Sequence, residues 1–257
     1  MIIRKTLAEV ETMARAGHVV ASTLDLMEAE ARPGVTLAEL DRIAERHIRD
    51  AGGVPSFKGY RGFPGSICAS PNAMVVHGIP GPYRLADGDL LSVDVGVTLD
   101  GYVADSAITF VVGTPTPQEL DLIDACSEGL EAAISECRAG RRLGDVSHAV
   151  QEVVEARGYG VVRSLVGHGV GRSMHEDPQI PNYGPPGRGP KLAPGMVLAI
   201  EPMITTGSWG VVAGEDGWAV YTDDGSLAAH VEHTVAVTEA GPRVLTPRGA
   251  ARRVATG

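Results

Sequence analysis

Asp94 and Asp105 lie on either side of Leu99-Asp100-Gly101-Tyr102, and Asp-Gly between strand-like runs marks a two-residue hairpin turn. With Asp100 and Gly101 at the turn, Leu99 pairs with Tyr102 and, counting away from the turn, Asp105 faces Gly96. Gly96 is two residues from Asp94 on the same face of the ribbon, so the two carboxylates stand diagonally, within reach of a shared cation. Like charges this close are unfavourable unless a cation or a proton comes between them. On these two residues alone a plainer reading stays open, with both at strand ends or turns in solvent.

Three more residues extend the set. His168 sits in Gly167-His168-Gly169-Val170-Gly171, which reads as a glycine-rich turn that brings an imidazole near a ligand. A surface histidine would have the same setting. Glu201 follows the apolar run Met196–Ile200 and precedes Pro202, and a carboxylate ending a buried strand is unfavourable unless neutralised. Glu232 lies in Ala229–Thr238, which alternates as a strand and could equally present it on an exposed face. Together, four carboxylates and one imidazole suit hard to borderline divalent ions such as Mn, Fe, Co or Zn. They are too many for one catalytic zinc and suit two bridged cations, which activate water and stabilise the oxyanion formed on attack at a carbonyl. Amide hydrolysis is the reaction class that fits.

The elements that must position these residues show themselves in a repeat. Residues 32–52, RPGVTLAELDRIAERHIRDAG, and 138–158, RAGRRLGDVSHAVQEVVEARG, share Arg, Gly, Leu and the closing Gly at an offset of 106. Both have apolar positions at helical spacing and end on a glycine suited to a C-cap, and Thr36–Glu39 fits a capping box. Residues 85–94, LADGDLLSVD, and 192–201, LAPGMVLAIE, match at an offset of 107, and each strand ends on a carboxylate, Asp94 or Glu201. The pattern predicts duplicated helix-then-strand halves, about 1–115 and 116–257, that meet at a central site within one catalytic domain, 1–257. Pro181–Pro190 is expected to be a surface loop, Ile2–Lys5 to lead straight into the first helix, and Gly249–Gly257 to fray.

Composition narrows the partners. Hydrophobic residues make up 44% and charged residues 21%, with a net charge of −10, which argues against nucleic acid or an anionic membrane as the main partner. No apolar run approaches the roughly 20 residues of a membrane span, and no signal peptide is visible. Cys68, Cys126 and Cys137 are widely spaced and form no CxxC pair, so a reducing, cytoplasmic setting is expected.

The order and spelling of the motifs resemble the type I methionine aminopeptidases, single-domain members of the pita-bread metallopeptidase family. The matching stretches are Pro55–Pro64 (PSFKGYRGFP), Ser66–Ser70 (SICAS), Val76–Pro80 (VHGIP), Ser92–Gly96 (SVDVG), Gly167–Gly171 (GHGVG), Ala199–Pro202 (AIEP) and Val231–Thr234 (VEHT). Similarity runs from Met1 to about Leu245.

The resemblance implies a pita-bread α/β fold of the α+β kind, with an antiparallel-rich sheet, flanking helices and internal pseudo-two-fold symmetry. It implies two divalent ions (Co, Mn, Fe or Zn), chelated or bridged by Asp94, Asp105 and Glu232 and completed by His168 and Glu201. Glu201 takes a second role as proton shuttle for the attacking water. His77 and His175 match two non-ligand histidines that contact substrate around the scissile amide. Tyr60, Phe63, Cys68 and Trp218 should wall a pocket for the methionine side chain, where polarizable and aromatic groups suit a thioether; core packing is their plainer reading. Met174 stands where the family often has Phe, and Phe57 where it often has Cys, which puts pocket shape in doubt rather than the reaction. The expected substrate is the initiator methionine of a nascent protein with a small second residue, and the expected state is a monomer with room for transient ribosome contact. A prolidase usually adds an amino-terminal domain for which there is no space, and a non-enzymatic relative tends to lose ligands that are all present here.

Overall fold

Thr6, Thr36 and Thr116 open three helices in the same way. Each threonine hydroxyl accepts the amide proton of the residue three ahead, and that residue, Glu9, Glu39 or Glu119, reaches back to the threonine amide. In the computed structural model, which describes residues 1–249, the helices are α1 (Leu7–Glu30), α2 (Leu37–Asp50) and α3 (Pro117–Glu136). A fourth, α4 (Leu143–Ala156), follows Arg142. Gly52 and Gly158, one residue past the caps of α2 and α4, take φ of 79° and 81°, which suits the expected glycine stop. The expected fraying from Ala250 onward lies outside the described residues.

The first half adds β1 (Val54–Pro55), β2 (Cys68–Pro71), β3 (Met74–Val76), β4 (Leu90–Leu99) and β5 (Tyr102–Val111). The second adds β6 (Gly160–Val161), β7 (Val166–Gly169), β8 (Glu176–Pro181), β9 (Val197–Ile200) and β10 (Met203–Thr205). It continues with β11 (Val211–Ala213), β12 (Val220–Thr222), β13 (Ala228–His230), β14 (His233–Thr238) and β15 (Gly241–Val244). β4 pairs with β5 along its length and with β1 and β2 on its other edge, all antiparallel. The main sheet of the second half runs β15-β14-β9-β7-β8, and the small sheets are β13-β10-β6 and β11-β12-β3.

The duplication is written in the hydrogen bonds. Thr36 bridges Arg84 and Arg142 bridges Lys191, each pair tying the start of a helix to the lead-in of a strand. Leu85 donates to the Val35 carbonyl at 2.9 Å, and Leu192 to the Arg141 carbonyl at 2.8 Å. Both helix pairs then cover a sheet. Val20, Leu24, Leu40 and Ile48 of α1 and α2 bury against Val93, Val95, Ala104 and Ile108, while Leu122, Leu130, Val146 and Val150 of α3 and α4 bury against Leu198, Ile200 and Val235. Strand alternation turns Asp94 and Gly96 away from the first helix pair. The halves meet where β5 faces β14: the Thr234 hydroxyl donates to the Asp105 carbonyl (2.7 Å) and accepts the Asp105 amide proton (2.9 Å).

Ile2–Lys5 leads straight into the first helix, as expected, with the Thr6 cap setting its start at Leu7. Two local expectations need correction. The run Ala229–Thr238 is not one strand, because Val231 and Glu232 break it between β13 and β14. Within Pro181–Pro190, Pro181 ends β8 and Asn182 is buried with its side-chain amide on the Glu201 carbonyl at 2.9 Å, so the surface loop starts later. Among the described residues, no helix is long and apolar enough to cross a membrane.

Candidate metal centre and substrate cleft

The hairpin of β4 and β5 delivers the first two carboxylates. Asp100 and Gly101 both sit at positive φ (51° and 77°), as a tight hairpin turn needs, and Gly96 pairs with Asp105. Asp94 and Asp105 stand within hydrogen-bonding reach of each other. Cys68, on β2, is the register partner of Asp94.

His168 is on a strand, β7, rather than in a turn. Its flanking glycines serve close packing. A Cβ at Gly167 would lie 2.5 Å from the Ala199 carbonyl oxygen, and one at Gly169 would lie 2.1 Å from that of Asp177. His168 Nδ1 meets the Gly169 carbonyl oxygen at 2.9 Å, a bond in which the ring nitrogen must donate. The neutral ring therefore keeps a bare Nε2, which lies 3.5 Å from Glu201 Oε1 and 3.9 Å from Asp105 Oδ2. Glu201 follows β9 directly, and the amide of Glu232 donates to the Ala107 carbonyl at 2.9 Å, anchoring the strand break over β5. Asp105, His168 and Glu232 each offer a ligand atom within 4.8 Å of the others.

Four acids here share a dry space. Burial, then the charge of Asp105, pushes the Glu201 and Glu232 carboxyls well above the usual range; Asp94 rises for the same two reasons, and burial raises Asp105 to about 7. Burial also holds the His168 pKa down, keeping the ring neutral. Asp94 Oδ1, Asp105 Oδ1 and Glu232 Oε1 are buried without a hydrogen-bond partner. Orphaned carboxylate oxygens converging with a bare imidazole nitrogen are what divalent ions would satisfy, so this donor set fits them.

The centre floors a cleft of about 200 Å³, and every metal-ligand and substrate-contact candidate from the sequence lines it: the five above with Tyr60, Phe63, Cys68, His77, His175 and Trp218. Phe63 and Trp218 meet edge to face at 5.1 Å, forming one apolar wall. Phe57 also lines the cleft, and its ring shares the space above Gly96 with Met174, whose Cε would lie 2.6 Å from a Cβ there. His77 follows β3 at a φ of 61°, a left-handed conformation that a histidine rarely takes. His175 lies at the open side, its ring 4.2 Å from that of His168, with Nδ1 2.9 Å from the Tyr60 hydroxyl. The protein packed around the ring, and then the His168 imidazole, hold its pKa at about 4.

The model of metallopeptidase family M24 matches residues 11–239. The chain belongs to that family. It is 52% identical to a methionine aminopeptidase of Clostridium acetobutylicum over 96% of this chain and 99% of the relative. It is 51% identical to methionine aminopeptidase 1 of Bacillus subtilis, again over 96% and 99%. The crystal structure of a methionine aminopeptidase from Thermotoga maritima superposes with a TM-score of 0.95 at 46% identity, covering 96% of this chain and all of that one. A prolidase from Pyrococcus furiosus shares the fold at 23% identity and a TM-score of 0.75, and the match spans only 66% of its length. Membership makes the chain a metallohydrolase and brings divalent metal ions as its cofactor class, and the pita-bread architecture read from the motifs is the architecture seen.

Sequence reasoning passed over some residues of this M24 site. His230 is buried, with Nε2 unpartnered and 3.7 Å from Glu201 Oε2. Its signal was the alternation that pairs it with Glu232 two residues on. Asn182 and Thr234 hold the backbone of Glu201 and Asp105 from distant parts of the chain, which no local pattern announces.

Proposed function

We propose that this M24 enzyme removes the initiator methionine from nascent proteins whose second residue is small, using two divalent ions. Asp94, Asp105 and Glu232 would chelate or share the pair, with His168 Nε2 and Glu201 completing it. The carrying observation is the single cleft that joins this donor set to the apolar wall of Phe63, Trp218, Tyr60 and Cys68. Bound ions would supply Lewis acidity and a more acidic water, and Co, Mn, Fe and Zn all suit such donors.

The chain's own groups do the rest. The thioether packs on the aromatic wall, which excludes water from it. Glu201, buried at the end of β9, takes a proton from the attacking water and returns it to the leaving amine. With the Tyr60 hydroxyl, 2.9 Å away, donating to His175 Nδ1, the neutral ring would keep Nε2–H as the donor toward the peptide beside the scissile bond. With its pKa held at about 4, that ring is a neutral donor at pH 7. His77, whose pKa burial lowers, would face the same amide from the strained backbone after β3. Both bonds strengthen as charge develops on the carbonyl oxygen. The same reading gives one catalytic domain, 1–257, acting as a cytoplasmic monomer with transient ribosome contact.

The test is a rate comparison of Met-Gly-Met with X-Pro peptides for enzyme loaded with each metal in turn. Cleavage confined to the methionine peptide supports the reading, and a preference for X-Pro would replace it with prolidase chemistry.

A further inference from the structure

Lys5 and Glu176 form an ion pair at 2.7 Å whose side chains are only 4% and 7% exposed. A buried ion pair is weak evidence for stability, because desolvation offsets much of the attraction. What this pair touches is more informative. Glu176 Oε2 takes the Lys5 ammonium, while Oε1 accepts the backbone amide protons of Arg172 (2.9 Å) and Ser173 (3.2 Å). One carboxylate thereby closes the loop Gly171–His175 on itself. Gly171 leaves no spare room beneath it, since a Cβ there would lie 2.5 Å from Lys5 Cε and 2.6 Å from Glu176 Oε1. The loop carries Met174 into the cluster beside Phe57 and His175 into the cleft.

Lys5 is itself held. Its amide donates to the Gly195 carbonyl at 2.6 Å, its ammonium also donates to the Ile3 carbonyl at 3.3 Å, and Arg4 Nε donates to the Pro194 carbonyl at 2.7 Å. Pro194 and Gly195 belong to the turn feeding β9, the strand that presents Glu201. The amino-terminal segment thus ties the lead-in of the Glu201 strand to the loop of His175.

We propose that Lys5, acting through Glu176, is a positioning residue that fixes the His175 imidazole at the scissile amide. This rests on the reading of His175 as a substrate contact. The fixed quantity is the Glu176 carboxylate as acceptor for the two loop amides, and Lys5 is the ion-pair partner that holds it in place.

The experiment measures kcat, KM, metal stoichiometry and amide exchange on the metal-loaded full chain with a Met-Gly-Met peptide. Lys5→Met should lower kcat by about ten- to a hundredfold, the scale of a misplacement near 1 Å. KM and metal stoichiometry should change little, and the Arg172 and Ser173 amides should exchange at least about tenfold faster while β4 and β9 keep their protection. Lys5→Arg should stay within about threefold of wild type. K5E/E176K restores an ion pair but removes the acceptor, so its kcat should remain low; recovery there would show a mere stability role and overturn the proposal. If Lys5→Met does not fold, the neutral pair K5M/E176Q, which keeps an amide oxygen for the loop, should fold and outperform K5M/E176L; equal rates would also overturn it. His175→Ala in the same series separates the two ideas. An unchanged rate there sinks the role of His175, whereas a slow His175→Ala beside a fast Lys5→Met sinks only the positioning role.

Discussion

At His175, chemistry depends on what the ring is denied. Its Nδ1 is occupied by the Tyr60 hydroxyl, and its low pKa keeps it from becoming a cation that would repel a metal centre. His175→Ala should keep the fold and the metals and slow turnover by about two to three orders of magnitude, mainly in kcat, as loss of one donor to the developing oxyanion does. Lost metal in a titration would make His175 a ligand instead, and an unchanged single-turnover rate would make it a bystander. Asp94→Ala, Asp105→Ala and Glu232→Ala should each abolish turnover and weaken metal binding in calorimetry, because each removes an oxygen that has no other partner in the cleft. Persistent full activity after exhaustive chelation of the wild type would contradict that expectation. The placement of Asp94 and Asp105 was legible early because the register of a hairpin around an Asp-Gly turn is a local fact. His230 was not, since the closeness of its Nε2 to Glu201 depends on β13 pairing with β10, where His230 faces Met203, two residues past Glu201.

At the scale of elements, β7 shows how a glycine can be misread. Gly-His-Gly looks like a bend, yet β7 is a strand that tolerates no Cβ against β8. Gly169→Ala would place a methyl 2.1 Å from the Asp177 carbonyl oxygen, which is backbone and cannot swing aside. We expect a loss of about 1–3 kcal/mol in denaturant unfolding, the range for overpacking, together with weaker metal binding as His168 shifts. Unfolding at the wild-type midpoint would show that β7 and β8 separate freely. The hairpin of β4 and β5 was the easier element, since Asp100-Gly101 announces its own register.

Across the whole molecule, the acids of both halves share one buried space, so their protonation bears on the stability of the fold. In the metal-free protein Asp105 has a pKa of about 7 against roughly 4 in an unfolded chain. The folded state therefore binds the extra proton, so this contribution is fully present below about pH 4 and is lost as pH rises through about 7. Asp94, Glu201 and Glu232 are shifted in the same direction. The melting temperature of chelated enzyme should accordingly fall between pH 5 and pH 8, and Mn or Co should remove most of that fall by binding the folded state. Asp105→Asn, which has no proton to lose, should flatten the slope of the chelated protein. A chelated wild type equally stable at both pH values would show that the acids do not strain the fold.

The sequence by itself determined the helices, their caps, the central hairpin and the matched carboxylates Asp94 and Glu201. Each depends on residues within a few positions of one another: Thr with Glu three ahead, Asp-Gly between alternating runs, a glycine one past a helix. Glu201 follows β9 as expected, but Asp94 does not end its strand, because β4 runs on to Leu99 to pair with β5. Offsets of 106 and 107 even carried the duplication, because both copies kept the residues their turns require. Tertiary structure decided which distant segments meet at the site. The Thr234 bridge to Asp105, the Asn182 bond to Glu201, the approach of His230 and the burial of Lys5 on Glu176 all join residues at least 19 positions apart. Such contacts form only once strands distant in sequence have paired and the sheets have packed, and no local periodicity encodes that step.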